Sequence, residues 1–531
     1  MNMKTRYHSR IFNIKILLLI SLLLGIVFRT LPYFIVGYPT DTVAGGGLFY
    51  QFSETISTNG FWYPENIPFY SEGGVPFAYN PLVFYLLSAL AEVLPVSIFT
   101  LHVNVPPIIS VLTLFAFYYL SREIFSDQKH VVLATFIFAT TPAAYTAFID
   151  FIGLAEASGT LIFIMCLIVL NRTHTHKSNY WVFLAGFSVG IAALTLHGAL
   201  LASVIAVFTY SIDAYMNGHE KFAIKSFIGI GIISLIVSSP WWGSVITRHG
   251  FETFIYAFSS RSGSALGLVR GIVGMDSFTF STTLIGVAFI GAISMFMRKK
   301  LAIPLLFVFL FPWGEIVYLK PVVATLLVPI AVFDVVLPAL MNNTEVNFKS
   351  WAETSFNFRT IGAFVLIGAV MLQPMGFAIG IYVGGDYLDD AHSINENSAD
   401  LKSAANWAEE ETCMESKYLY IGAGIPFSEW FPALANRYVI NAQWGTEWEG
   451  NWGQYGDMND EIQSVSNRAE LNQTLSDHGL SPDYIFIETS SAPPSFVTDV
   501  NNNQSQIVYQ NQEFIIASTD RQVGNNTVEN C

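Results

Sequence analysis

The chain has 531 residues, of which 52% are hydrophobic and only 12% charged, with a formal net charge of −15 and a mean hydropathy of +0.46. Soluble domains carry about 25% charged residues, so an ordinary soluble globule is excluded. Apolar runs recur from Ile16 to about Gly384, each of roughly 17–21 residues and so long enough to cross a bilayer core as a helix. The class is a polytopic α-helical membrane protein.

In chain order, Lys4, Arg6, Arg10 and Lys15 precede the first apolar run. No small-x-small cleavage site closes that run, so it reads as an uncleaved first helix with its N-terminus inside. Asp41 follows within a few residues of the membrane boundary, then Gly45, Gly46 and Gly47. The glycines allow a sharp turn without side-chain clashes. A long aromatic, proline-rich loop covers 38–103. Within it "PLVFYLLSALAEVLPV" (81–96) starts with proline and carries Glu92, which suits a helix lying on the outer face. Further spans are expected at 104–121, 130–148, 154–170, 180–196, 199–216, 226–242, 277–297, 301–318, 321–340 and 360–384, giving about 11 transmembrane helices. A second long outer loop covers 240–275.

Charge orients the chain. With eleven spans, fifteen Lys/Arg of the membrane part fall inside and five (Arg29, Arg248, Arg261, Arg270 and Lys320) fall outside or at the outer boundary. That obeys the positive-inside bias, and counting 81–96 as a twelfth crossing would largely invert it.

Composition breaks near residue 385. From Asp386 onward five Lys/Arg face 23 Asp/Glu, a net of −18, whereas residues 1–385 carry a net of +3. We therefore expect a membrane domain at 1–385 and an acidic extracytoplasmic α/β domain at 386–531. Nucleic acid and anionic lipid would both repel that surface. Helices are expected at 398–411 and 458–480, strands at 418–422 and 484–488, and a hairpin at 506–518. The sequons at Asn472, Asn503 and Asn525 fit an exterior location. Of the three cysteines, Cys166 lies in an apolar run, while Cys413 and Cys531 share the tail, and their pairing stays open. No C-x-x-C metal spacing occurs.

Ionisable groups at membrane level are costly and tend to have a function. On the outer side the topology gathers Asp41, Glu54, Asp150, Glu156, His197, Arg248, His249, Arg261, Arg270, Glu315 and Lys320. Transfer of a sugar from a lipid phosphate needs a base for the acceptor hydroxyl. It also needs positive charge, from Arg, Lys or a divalent metal, where the leaving phosphate develops negative charge. Asp41 is a candidate base or metal ligand, Mg or Mn being the ions in question. Against this stands the plain reading of Asp41 as a solvated loop acid. Glu156, at a helix start, also favours the macrodipole. His197 is placed to bind phosphate or to bond a neighbouring helix. Arg248, Arg261, Arg270 and Lys320 are candidate phosphate ligands, although arginines at this depth also meet headgroups.

The acid after helix one, the long first outer loop, and "EGGVPFAYNPLVFYLLSAL" (72–90) leading into an outer-face helix together resemble the GT-C superfamily. These are polytopic glycosyltransferases that use polyprenyl-phosphate-linked donors. "GLAEA" (153–157), "LTLHGAL" (195–201), "SPWWGSVITRHG" (239–250), "EWFPALANRYVINAQWGTEW" (429–448) and "IVYQNQEFIIAS" (507–518) are similar to a prokaryotic branch labelled as membrane proteins related to 6-pyruvoyl-tetrahydropterin synthase. No soluble pterin-enzyme motif accompanies them. The resemblance implies that Asp41 is a general base or metal ligand, and that Glu156 and Glu315 match acids of later outer loops. The pattern departs from the family in two places. No tandem Asp-Glu follows helix one, which speaks against O-mannosyl transfer to protein. The tail has "NWGQYGD" (451–457) in place of Trp-Trp-Asp-Tyr-Gly, which speaks against en bloc transfer to asparagine.

The expectation is a membrane glycosyltransferase that moves one sugar from a polyprenyl-phosphate donor to an exterior glycan, lipid or protein acceptor. The alternative is a lipid-linked sugar flippase or other transporter. It would want charges near the bilayer midplane and internal repeats; Arg29 and Asp334 are the only deep charges, and no repeat is visible. A third reading is a membrane anchor presenting the tail as a binding module.

Overall fold

The computed structural model describes residues 3–35, 46–146, 148, 153–261, 282–311, 313–338, 386–422, 425–502 and 506–519. Its first helix, α1 (Met3–Ile35), is followed by α2 (Gly47–Thr58), a small ribbon of β1 (Asn66–Ile67) and β2 (Val75–Pro76), and α3 (Leu82–Val93). The bundle continues with α4 (Ile98–Ile124), α5 (Gln128–Thr140), α6 (Gly153–His176), α7 (Asn179–Thr195), α8 (His197–Met216) and α9 (Glu220–His249). Then come α10 (Glu252–Arg261), α11 (Thr282–Met297), α12 (Ala302–Leu310) and α13 (Lys320–Ile330). A 3₁₀ segment (Gly314–Leu319) precedes α13 and a π-helical turn (Ala331–Val336) continues it.

Five helices among the described residues are long and apolar enough to cross a membrane: α1, α4, α6, α8 and α9. Outward-facing apolar side chains such as Leu17, Ile108, Phe208, Ile232 and Leu235 are exposed along them. Water would penalise that surface and hydrocarbon does not. The helix α7 and residues 284–297 of α11 are shorter apolar segments. Differences from the expected spans have local causes. Pro142 follows α5 and ends it at Thr140, so that 130–148 is not one helix. The stretch 301–318 is α12 followed by 3₁₀ backbone. The expected span at 360–384 lies outside the described residues.

Close helix packing follows from small residues. Gly186 and Gly190, four apart on α7, face Ile233 and Val237 of α9; a Cβ on either glycine would stand 2.6 Å from the facing Cβ. Such small-xxx-small faces let helices approach where no water drives them together. Arg29 is fully buried in α1. Its guanidinium donates to the carbonyls of Ala139 (2.9 Å) and Phe138 (3.3 Å). Those carbonyls belong to the last turn of α5, where intrahelical donors run out.

The C-terminal region has α14 (Asp386–Glu411), β3 (Lys417–Ile421), α15 (Ile425–Ala435), β4 (Tyr438–Val439), α16 (Trp452–Gln463), α17 (Arg468–His478), β5 (Tyr484–Glu488), α18 (Pro494–Asn502), β6 (Ile507–Gln510) and β7 (Phe514–Ser518). The sheet order is β4-β3-β5-β7-β6, with β3 parallel to both β4 and β5, and β7 antiparallel to both β5 and β6. Period-2 alternation gives the sheet two apolar faces. Leu419, Ile421, Ile485 and Ile487 face a core shared with α16, α17 and α18. Tyr418, Tyr420 and Phe486 join the core that runs on into the membrane helices. The expected helix at 458–480 is two helices. Asn467 Oδ1 accepts from Glu470 N (3.0 Å) and Glu470 Oε2 accepts from Ser466 N (2.8 Å), a reciprocal capping arrangement that starts α17 afresh. Cys413 is disulfide-bonded, and Cys166 is buried and free.

Residues 46–96, within the loop that the charge pattern is expected to place first on the outer side (hereafter the first outer region), dock on this sheet. Val439 N donates to Phe69 O (2.9 Å) and Ser71 N to Val439 O (3.1 Å), pairing residues 69–71 with the edge strand β4. The helix α15 packs on α2. Gly46 (φ −100°) has ordinary backbone and Gly47 begins α2, so these two glycines answer to close approach and not to a sharp turn; Gly45 lies outside the described residues. A Cβ on Gly47 would stand 2.3 Å from Glu429 O, and one on Gly46 2.6 Å from the Trp430 ring. Gly47→Ala is expected to destabilise the docked chain by about 1–3 kcal/mol, the usual range for overpacking. Gly73→Ala, with nothing within 4 Å of its Cβ, is expected to stay within about 0.5 kcal/mol. Thermal midpoints of the purified variants check the pair.

Candidate functional site

Three of the sequence-derived site residues start helices at one end of the bundle. Glu156 lies in the first turn of α6, His197 is the first residue of α8 and Lys320 the first of α13. The 3₁₀ segment Gly314–Leu319 packs against all three helices and so brings their starts together. Its Tyr318 and Ile316 lie so close to Gly198 that a Cβ there would be 2.4 Å from the Tyr318 hydroxyl. Leu196 fills the space beside Gly159, one turn along from Glu156. Helix N-termini carry unpaired N–H groups and partial positive charge, so the starts of α6 and α8, with Lys320 beside them, favour an anion there.

His197 also lines a cleft of about 160 Å³ with Tyr79, Asn80, Trp241, Phe254 and Trp448. The residues come from the first outer region, α8, α9, α10 and the C-terminal region. Asn80 Nδ2 donates to Ala193 O (2.5 Å) and Trp241 Nε1 to Ala78 O (3.1 Å), fixing the wall. Tyr79 meets His197 and Trp448 edge-on at centroid distances of 6.3 and 6.2 Å. Aromatic faces with a few convergent polar groups are the usual lining of a small-molecule site.

Other candidates stand differently. Arg248 Nη1 donates to Tyr63 O (2.8 Å) and its guanidinium lies 5.5 Å from the Tyr63 ring centroid. His249 Nε2 donates to Glu65 O (3.0 Å). Both therefore brace the first outer region. Lys320 Nζ lies 5.4 Å from the Phe311 ring centroid. Arg261 ends α10. Asp41, Asp150, Arg270 and the side chains of Arg261 and Glu315 lie outside the described residues. Among the described residues no group of three or more His, Cys, Asp or Glu side chains stands together to hold a metal ion.

Sequence reasoning gave no role to Glu429, although "EWFPAL" lies in a segment it singled out. Glu429 is 3% exposed, and its Oε1 accepts from Leu48 N (3.2 Å) at the start of α2. Burial pushes its carboxyl up to about 8; the Leu48 amide opposes this and nearby Glu447 adds to it. The signal available was a lone carboxylate inside an apolar stretch, which names burial but no partner.

Comparison with known proteins then adds to this geometry. A scan with protein-family models finds no match, and a search of curated proteins finds none. Solved structures do match. The archaeal oligosaccharyltransferase AglB from Archaeoglobus fulgidus, in complex with an inhibitory peptide and a dolichol-phosphate, superimposes with a TM-score of 0.62 at 14% identity, over 98% of this chain and 76% of that one. ArnT from Cupriavidus metallidurans bound to undecaprenyl phosphate gives 0.55 at 11% identity, over 95% and 97%. The A. fulgidus oligosaccharyltransferase in complex with Zn and sulfate gives 0.57 at 13%, over 89% and 68%.

Two outcomes follow from the geometry. Arg248→Ala is expected to expose residues 59–66 to limited proteolysis several-fold faster, since it removes a charged donor that ties the segment down. Folding raises the Glu429 carboxyl, so the folded chain holds that proton more tightly than the unfolded one. The stabilising contribution is complete below the ordinary value of 4.5 and is lost as pH rises through about 8. The thermal midpoint of Glu429→Gln, measured against the unsubstituted chain, is therefore expected to gain steadily from pH 5 to pH 9. The chain shares its fold with the oligosaccharyltransferase and ArnT structures.

Proposed function

We propose that this chain is a membrane glycosyltransferase that moves a single sugar from a polyprenyl-phosphate-linked donor to an acceptor on the outer face of the membrane. The acceptor is a surface glycan, a glycolipid or a protein. The observation that carries the reading is the shared fold over nearly the whole chain with structures bound to dolichol-phosphate and to undecaprenyl phosphate. The gathering of the Glu156, His197 and Lys320 helix starts at one end supports it, because a phosphate at that end meets two helix N-termini and a lysine.

In this reading residues 1–385 form the membrane domain, with its N-terminus cytoplasmic, and residues 386–531 an outer domain. Asp41 is the general base. An acceptor hydroxyl oxygen attacks the anomeric carbon of the donor sugar and its proton passes to the Asp41 carboxylate. The bond between that carbon and the phosphate oxygen breaks, and the polyprenyl phosphate leaves with the electron pair. Lys320, Arg261, Arg270 and the first turn of α8 at His197 hold the leaving phosphate, while Glu156 supports the acceptor side. Arg248 serves by bracing the first outer region. A divalent metal, Mg or Mn, would draw on Asp41, and its chemistry would be neutralisation of the leaving phosphate. The aromatic cleft at Tyr79, Trp241 and Trp448 gives sugar rings flat apolar faces.

The transporter alternative loses its two deep charges. Arg29 is committed to the end of α5. Asp334 pairs with Arg298 (2.8 Å) and His130 (3.1 Å), at the end of the bundle that the charge pattern places inside. Neither is left to ferry a substrate.

Asp41→Asn in native cells tests the reading, with protein abundance and membrane insertion checked. The expected result is loss of one sugar from a surface glycan, roughly 100-fold or more below the native level, the scale of a lost general base. If the glycan mass profile changes on deletion of the whole gene but not in Asp41→Asn, the site is elsewhere.

A further inference from the structure

The cleft at His197 has one wall from the C-terminal region, Trp448 of the 3₁₀ turn Thr446–Trp448. Two glycines with left-handed backbone flank that turn, Gly445 (φ +97°) and Gly450 (φ +80°). A Cβ on Gly445 would stand 2.6 Å from Val75 of β2, and one on Gly450 3.0 Å from the Tyr256 ring of α10. Only glycine suits both that backbone and that space. Gly445 N donates to Glu447 Oε2 (2.7 Å) and Thr446 Oγ1 to Gln443 O (2.6 Å), which tightens the turn further. Trp448 is thus clamped between the first outer region and α10.

The lining is flat, polar at two points and without formal charge. Trp241 and Phe254 stand perpendicular, at 87° with centroids 5.6 Å apart, and Tyr79 meets Trp448 at 68°. Asn80 and Trp448 are only 3% and 5% exposed. Asn80 commits its amide nitrogen to Ala193 O. Among the described residues nothing bonds Asn80 Oδ1 or Trp448 Nε1, and neither atom is sealed from solvent. The wall therefore offers one acceptor and one donor. Among the described residues no Asp, Glu, Lys or Arg lines it. At about 160 Å³ the cleft falls below the roughly 300–1,000 Å³ of drug-sized sites, so it takes one ring and not a chain of them. A lipid tail would leave the donor and the acceptor unpaired at a cost. A phosphate or carboxylate would find no counter-charge. An uncharged sugar ring meets each requirement, with its C–H face on an aromatic ring and its hydroxyls donating to Asn80 and accepting from Trp448.

We propose that this cleft is the subsite for one uncharged monosaccharide, the sugar carried by the lipid-linked donor, and that through Trp448 the C-terminal region selects it. The proposal rests on the transferase reading for the source of the sugar, and on the cleft alone for its binding. The donor is favoured over the acceptor by position. His197 lines the cleft and begins α8. Gly198 beside it lies against Tyr318 and Ile316 of the segment that brings together the starts of α6 and α8 with Lys320. A phosphate held at those starts has the ring bonded to it next to the cleft.

The test titrates the purified full chain in lipid nanodiscs with methyl glycosides and reads saturation transfer to the sugar protons by NMR. The panel is the methyl glycosides of glucose, mannose, galactose, arabinose and xylose, with that of glucuronic acid as the charged counterpart. A neutral member is expected to bind best. Trp448→Ala is expected to raise its Kd roughly 10-fold or more, the scale of a buried aromatic anchor. Trp448→Phe, which keeps a ring and loses the donor, is expected to raise it several-fold. Trp62→Ala, at an aromatic position of the first outer region that is 79% exposed, is expected to change nothing. No saturation transfer to any member, or tighter binding of the glucuronide, would overturn the proposal. So would an equal Kd in Trp448→Phe and the unsubstituted chain, the arm that decides if Trp448→Ala is not recovered folded. Mass spectrometry of the lipid-linked sugars and surface glycans of native cells reads the source. The sugar that binds best is expected on polyprenyl phosphate; found only at the end of the acceptor glycan, it would overturn the donor assignment. Sugar binding that depends on Trp448 without any sugar transfer would overturn the transferase reading and leave the binding site standing.

Discussion

The rest of the structure depends on the contact between α15 and the first turn of α2. A backbone carbonyl and an indole ring occupy the space where any side chain at residues 46 and 47 would have to go. That exclusion explains the glycines, sets the entry of the first outer region, and joins an acidic α/β sheet to a bundle of apolar helices. The junction is not a loose tether. One face of the sheet carries Tyr418, Tyr420 and Phe486 into the same apolar core as Phe52, Phe84 and Phe117. Burial of aromatic surface of this extent is what holds an otherwise soluble, acidic region down on membrane helices.

The opposite end of the bundle is organised by charge. Arg172 pairs with Glu123 (2.9 Å), Arg298 with Asp334 (2.8 Å) and His174 with Asp213 (3.1 Å). At the end that carries Glu156, His197 and Lys320, helix starts and aromatic rings converge instead. A bundle polarised in this way has one end tied by ion pairs and one where helix starts and aromatic rings meet. The glycines of α7 and the buried Arg29 fix helix positions, so that the second end is presented as a rigid set of helix starts.

Much of the fold was legible from residues. Apolar length gave the five helices long enough to cross a membrane among the described residues, and the alternation in "YLYIG" and "YIFIE" gave the central strands. Pro142 and the capping pair at Asn467 and Glu470 were legible in principle, but periodicity across them outweighed single residues. The site was legible only in part. Glu156, His197 and Lys320 were singled out because ionisable groups at membrane boundaries stand out, and all three lie at helix starts that one 3₁₀ segment brings together. Arg248 was read as a phosphate ligand because sequence shows a charge but not the carbonyl of Tyr63, 185 positions away, that engages it. Glu429 was missed for the same reason: its partner, Leu48, is an amide whose need for an acceptor is visible only once α2 and α15 are side by side.

The central claim is that a sugar is transferred and not merely carried across the membrane. The most direct measurement places the purified full chain in lipid nanodiscs with the lipid-linked sugars and acceptors extracted from its own membranes, and follows both by mass spectrometry. The account expects free polyprenyl phosphate to accumulate together with an acceptor heavier by one sugar, in equal amounts and only when the chain is present. Lipid-linked sugar that remains intact, with no acceptor gaining mass, would contradict it.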